Sequence, residues 1–392
     1  MSLDLNSVIA EASSRTGAYE RIVLHIGMHK TGSTTIQRVL KGFDDGRNLY
    51  APFEHINHSF PIYTIFSKHY LRFRAWTDSG LTDAQIEELR ARQLQDLIAM
   101  LRRRDRQTLI LSGESIGQIH AEGVAQMIDL MRPHTRKIEM ICYVRAPLSF
   151  AVSSFQQRMK RYLTGVPNRV DPQYRSRIEK FIELLGRENV TIRLFDRSSL
   201  MNGDVAQDFA DFCGITLPER AAVEANSSLS APALKLLYHF NRERFLKAGD
   251  DVLSKAREQL ISRLARSYAD GPRIELERFS PLAVFDDVEW LRQTCGIDFA
   301  STVEQTDNAD LKAWLDDLSD VDPEPLQTLL SGYGLKGRYP ELPDQVCRLF
   351  YHLIHLQQSR VDADKAAAPA WKSATDSAGE LVRGIGVRIG RP

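Results

Sequence analysis

RIVLHIGMHKTGSTTIQRVL, residues 21–40, carries the order of the fold in miniature. Ile22 to Ile26 are apolar apart from His25, and they stop at Gly27, the pattern of a buried parallel strand. Ser33, Thr34 and Thr35 suit the start of a helix, and Ile36, Val39 and Leu40 then recur at helical spacing. Strand, glycine-punctuated loop and helix therefore follow one another. That order turns unpaired backbone N–H groups and the positive end of a helix dipole toward one point, where an anion belongs.

The spacing narrows the reading. Gly27 and Gly32 have four residues between them and precede Ser33 and Thr34, which matches the P-loop frame G-x-x-x-x-G-K-[ST] except that serine replaces lysine. The nearby lysine, Lys30, lies inside the loop and would meet the anion from another side. A P-loop kinase or nucleotidase needs the lysine after the second glycine, and magnesium. It is the alternative reading, together with a non-catalytic nucleotide-binding module.

Further along, TLILS (Thr108–Ser112) and KIEMICYVR (Lys137–Arg145) read as buried strands, and VTIRLF (Val190–Phe195) as a fourth. Glu114 follows the first of these, where ligands bind in open α/β sheets, and is the candidate general base. Arg145 leaves the next strand, and Ala146-Pro147 opens a helix that carries Ser149 and Ser153 on its polar side. A guanidinium fork and a hydroxyl at this spacing can converge on one anion. Residues 82–104 read as a long amphipathic helix, and Tyr50–Tyr70 as an irregular segment with short helical turns, holding His55, His58 and His69.

HIGMHKTGSTTIQ resembles the 5′-phosphosulfate loop of sulfotransferases that use 3′-phosphoadenylyl sulfate (PAPS), in particular the bacterial and heparan-sulfate-type branch. YVRAPLSFAVSSF resembles the same family's 3′-phosphate signature, with Arg145 and Ser153 eight residues apart. The resemblance spans about Arg21 to Phe299, though only these two motifs are specific. It implies that Lys30, Thr31, Gly32, Ser33, Thr34, Thr35, Arg145 and Ser153 hold PAPS. It also implies that Lys30 and Glu114 are catalytic, and that Asn57-His58 lies near the acceptor, with His58 as the substitute base. The expected acceptor is a hydroxyl or amine of a carbohydrate or glycoconjugate, and no metal is required.

The fold class expected is α/β: a P-loop-like three-layer sandwich with a central, mainly parallel sheet between helices, plus a helical C-terminal extension. The expected division is a lead over 1–20, a catalytic domain over 21–300, the extension over 301–360 and a loosely ordered tail over 361–392. Among 392 residues Lys+Arg and Asp+Glu both total 51, which argues against a dedicated nucleic-acid binder. Cys142, Cys213, Cys295 and Cys347 show no metal-ligand spacing and read as isolated thiols of a reducing compartment. Residues 1–20 lack a basic leader and a long apolar run, and no stretch approaches a bilayer span, so the expected location is cytoplasmic.

Overall fold

The structure, a computed structural model, describes residues 5–12, 19–217, 228–243, 251–299, 307–335 and 341–367. Five strands form one sheet: β1 (Tyr19–His25), β2 (Asn48–Tyr50), β3 (Thr108–Ser112), β4 (Thr135–Val144) and β5 (Val190–Leu194). Their spatial order is β2-β3-β1-β4-β5, and every pairing is parallel. Ile22, Val23 and Leu24 are wholly buried, as expected of a strand covered on both faces.

One face of the sheet is packed by the helices Ser33–Val39 and Val205–Cys213, which bring Ile36 and Phe209 onto Val23, Ile110, Ile141 and Tyr143. Ile26 has the opposite parity to Val23. Its side chain lies near Gly117, and so does Arg177 on the helix Tyr174–Leu185, on the other side of the sheet. The three-layer α/β arrangement is therefore the one that the strand and helix patterns imply.

Register brings the site together. His25 of β1 stands opposite Ser112 of β3 on one side and Ile141 of β4 on the other. The chain runs outward from β1 to β2, returns to β3, and crosses to β4. The ends of β3, β1 and β4 thus lie side by side where the strand order reverses, the place at which open α/β sheets bind ligands.

Local chemistry explains most boundaries. The long helix runs Asp83–Leu101, because Thr82 caps it and forms a reciprocal capping box with Gln85 of its first turn. It stops short of Arg102–Arg104, and Arg103 pairs with Asp105 instead. Asp204 caps the helix Val205–Cys213 through the Ala206 and Gln207 N–H groups, and Gly214 ends it in the left-handed conformation. Asp196 accepts from the Ser198 N–H and hydroxyl, a turn-forming role. Two features differ from expectation. The edge strand β2 is only three residues long, too short for a period to register. Within the segment read as irregular with short helical turns, the helical part is one continuous helix, Ser59–Phe66, with Pro61 in its first turn where no backbone donor is required.

The chain divides into two units: 1–161, 165–228 and 274–315 form the first, and 162–164, 229–273 and 316–392 the second. This differs from a linear cut after residue 300, because residues 229–273 belong with the C-terminal segment. Within the second unit, the fully buried Lys235 ammonium reaches the Asp320 carboxylate at 2.7 Å and the Asp317 carbonyl at 2.8 Å, which joins segments 82 and 85 residues apart. The helix Leu342–Ala367 continues into the stretch expected as tail, and 368–392 lie outside the described residues, as do 336–340. Among the described residues, no helix is long and apolar enough to cross a membrane. Among the described residues, none of the four cysteines is in a disulfide.

Gly32 illustrates how tightly the loop is built. Its φ is 78°, and a Cβ there would lie 2.7 Å from Val205 Cγ1 and 3.0 Å from the Phe195 ring. Gly32→Ala will lower the unfolding free energy by about 2–5 kcal/mol, from left-handed strain plus overpacking, as read by urea titration. An unchanged midpoint would mean that the loop is free to move aside.

Candidate functional site

The loop after β1 turns three times through positive φ, at Gly27 (29°), Lys30 (69°) and Gly32 (78°). Thr31 is buried, and its hydroxyl donates to the Met28 carbonyl at 2.6 Å, so the loop is braced from within. Gly27 lets the backbone run against the helix start, since a Cβ would lie 2.4 Å from Ser33 Oγ. That hydroxyl is buried and has no hydrogen-bond partner among the described residues. Thr34 is exposed. The Thr35 N–H is taken by the Gly32 carbonyl at 2.9 Å, so the donors left at the head of the helix are those of Gly32, Ser33 and Thr34.

Lys30 is the one non-glycine residue of this loop in the left-handed region, which costs about 1–2 kcal/mol of local strain. Its half-buried ammonium donates to Gln157 Oε1 at 2.9 Å, on the helix Pro147–Arg161. Burial, followed by the nearby Lys160, Arg145 and Arg161 charges, pushes that ammonium below its ordinary value.

Arg145 meets the same loop from the end of β4. Its Nη1 donates to the Lys30 carbonyl at 3.1 Å and its Nε to Ser149 Oγ at 2.6 Å, with the guanidinium 5.7 Å from the Phe195 ring centre. The Tyr174 hydroxyl holds the Arg145 carbonyl at 2.5 Å. Ser153 is half-exposed one helical turn beyond Ser149. The hydroxyl touching Arg145 is thus the nearer serine of the pair. Among the described residues, neither Lys30 nor Arg145 pairs with a carboxylate; both rest on neutral oxygens. Two half-buried cations without counterions make a ready anion site.

Glu114 follows β3 on the other side of β1. Gln37 Nε2 donates to its Oε2 at 3.2 Å and Asn57 Nδ2 to its Oε1 at 3.1 Å. Its charge also acts on His29 and Lys30 of the loop. Gly113 permits this approach: a Cβ would lie 2.3 Å from the Ser59 backbone nitrogen.

His58 sits elsewhere than its neighbour Asn57. It is wholly buried, stacked on Tyr50 at 4.3 Å between ring centres, with Nδ1 accepting the Ser112 N–H at 3.0 Å. Burial holds its pKa down at about 3. His25, buried beneath the loop with Nδ1 2.8 Å from Ser112 Oγ, is likewise held at about 3. His55 stacks on Phe60, and His69 is exposed.

These two neutral imidazoles make the fold acid-sensitive. Their folded values lie below the ordinary value of 6.5, so unfolding takes up protons between pH 6.5 and about 3. Their contribution is complete above pH 6.5 and is lost as pH falls through that window. Stability will drop by about 2–4 kcal/mol from pH 7 to pH 5 in urea titrations. A constant midpoint across that range would contradict the burial of both rings.

Gln37 and Gln157 enter the site without a role assigned from the sequence, while Asn57 and Ser149 were named there but not as partners of Glu114 and Arg145. Gln37 carried a signal of its own, as an amide lodged on the apolar side of its helix between Ile36 and Leu40.

No family model matches the chain, and no curated protein does. Among solved structures, the chain is similar to a sulfotransferase from Alicyclobacillus acidocaldarius, at 15% identity and a TM-score of 0.31, over 58% of this chain and 97% of that one. It is also similar to the sulfotransferase domain from the curacin biosynthetic pathway, at 16% identity and a TM-score of 0.26, over 52% of this chain and 76% of that one.

Proposed function

We propose that this chain is a PAPS-dependent sulfotransferase that moves the sulfuryl group to a hydroxyl or amine of an acceptor, a carbohydrate or glycoconjugate. The observation that carries the reading is the direct bond between its two cation cradles. Arg145 Nη1 rests on the Lys30 carbonyl, and neither side chain has a carboxylate partner among the described residues. One doubly phosphorylated nucleotide would satisfy both. The motifs around Lys30 and Arg145 support PAPS over ATP, which lacks a 3′-phosphate, and Ser33 stands where a kinase would need lysine.

In the proposed reaction the acceptor oxygen forms a bond to sulfur while the bond from sulfur to the bridging oxygen breaks. The electron pair departs on the 5′-phosphate, where Lys30 balances the developing charge. The Gly32 to Thr34 N–H groups and Ser33 Oγ hold that phosphate; Thr31 and Thr35 brace the loop. Arg145, with Ser153 beyond it, holds the 3′-phosphate. Glu114 takes the acceptor's proton, an effect of about 10²–10⁴ in rate. Glu114 is preferred to His58 because the His58 ring is buried and its Nδ1 is spent on the Ser112 N–H. Charge balance comes from lysine and arginine, so no metal is assigned a role. A cytoplasmic setting, suggested by four cysteines outside any disulfide among the described residues, belongs to the same proposal.

The test is a transfer screen with radiolabelled PAPS against glycans, lipids and phenols, run beside calorimetry with adenosine 3′,5′-bisphosphate. Label is expected in a carbohydrate. Absence of any heat with the nucleotide would sink the proposal.

A further inference from the structure

The Glu114 carboxylate carries one amide donor on each oxygen, and both amides are themselves held. Gln37 is almost fully buried, and its Nε2 also faces the Ser112 carbonyl at 3.4 Å. Two oxygens around that nitrogen fix the amide with its NH₂ toward Glu114. Asn57 Oδ1 accepts the Ser59 N–H at 2.9 Å, which leaves Nδ2 as the end that meets Glu114. The two amides reach the carboxylate from different elements: the helix after the phosphate loop, and the segment before the helix Ser59–Phe66.

We propose that Gln37 and Asn57 are positioning residues that clamp Glu114, one donor per oxygen, and leave each oxygen a lone pair for the acceptor's proton. The inference rests on the sulfuryl-transfer reading of the site. Neutral amides suit this duty. An arginine would orient the carboxylate equally well but would hold its proton affinity too low for a base. Because Gln37 lies one turn into the helix that follows the phosphate loop, the clamp also ties the base to the loop that grips the donor.

The titratable and charged groups that face this carboxyl are His29 and Lys30 from the loop and Tyr50 from β2. None of them is altered in the test. Asn57→Asp keeps the oxygen that accepts the Ser59 N–H and puts a carboxylate where the donor stood. Gln37→Glu does the same from the other side. Two carboxyls in contact share a proton, so the Glu114 signal in the full chain labelled with ¹³C-glutamate should titrate higher by about one pH unit in either variant. Glu114→Gln identifies the signal. The acid limb of the rate profile should move with it, and affinity for adenosine 3′,5′-bisphosphate should stay within about twofold of the parent. A Glu114 titration unmoved in both variants overturns the clamp. If the titration moves but the parent chain transfers to no acceptor, the clamp stands and the sulfotransferase reading fails.

Discussion

Lys30→Ala will lower sulfuryl transfer by about 10²–10³-fold, the usual loss when one preorganised charge or donor is removed from a developing anion. The far-ultraviolet spectrum and urea midpoint should remain those of the parent. The separation of chemistry from folding follows from the backbone. Alanine has the same Cβ as lysine, so the left-handed strain at φ 69° is unchanged, and the one bond lost is a half-buried contact with the Gln157 amide. Lys30→Gly sharpens the comparison. Glycine relieves the strain, so this variant should be as inactive as the alanine one while gaining about 1 kcal/mol of stability. The measurements are initial rates with the best acceptor at saturating PAPS, and urea titration of all three chains. Turnover within tenfold of the parent in either variant would remove Lys30 from the reaction.

What could be read from the sequence divides by distance along the chain. Thr108–Ser112 was legible to the residue, because five consecutive buried positions bounded by Gln107 and Gly113 admit little else. The loop at Gly27 to Gly32 and the arginine leaving β4 were legible because each motif is contiguous. Glu114 was legible as the residue after a central strand, but its two amide partners were not. They lie 77 and 57 residues away, and only the pairing of β1 and of β2 with β3 brings them near. The hydroxyl on Arg145 shows the same limit at short range. Ser149 and Ser153 share one helical stripe, and only the entry angle of the helix at Ala146-Pro147 decides which serine touches Nε. His58 is a further case. In the sequence it stands beside Asn57 as a substitute base facing the acceptor, whereas packing under Tyr50 and Phe53 makes it a neutral core group. The division into units failed to show for a similar reason, since Lys235 reaches Asp317 and Asp320 across 82 and 85 residues.

Arg145→Ala should weaken binding of adenosine 3′,5′-bisphosphate by about 10–100-fold, as expected for a charged hydrogen-bonding group facing a phosphate. Binding of adenosine 5′-phosphate should change by only about threefold, the weight of a neutral loop hydrogen bond near 0.7 kcal/mol. The smaller loss is not zero, because Nη1 also supports the Lys30 carbonyl, so the loop over the 5′-phosphate loosens slightly when the guanidinium goes. The backbone at position 145 should stay in place, since the Tyr174 hydroxyl holds its carbonyl and not its side chain. Calorimetry with the two nucleotides on the parent and variant chains gives four affinities, and their double ratio isolates the 3′-phosphate. Arg145→Lys refines the result. It restores the charge without the planar fork or the reach to Ser149, so it should recover only part of the 3′-phosphate selectivity. Equal losses for both nucleotides in Arg145→Ala would assign this arginine to bracing the loop, and would leave the chain without a recognised grip on the 3′-phosphate, the group that sets PAPS apart from ATP.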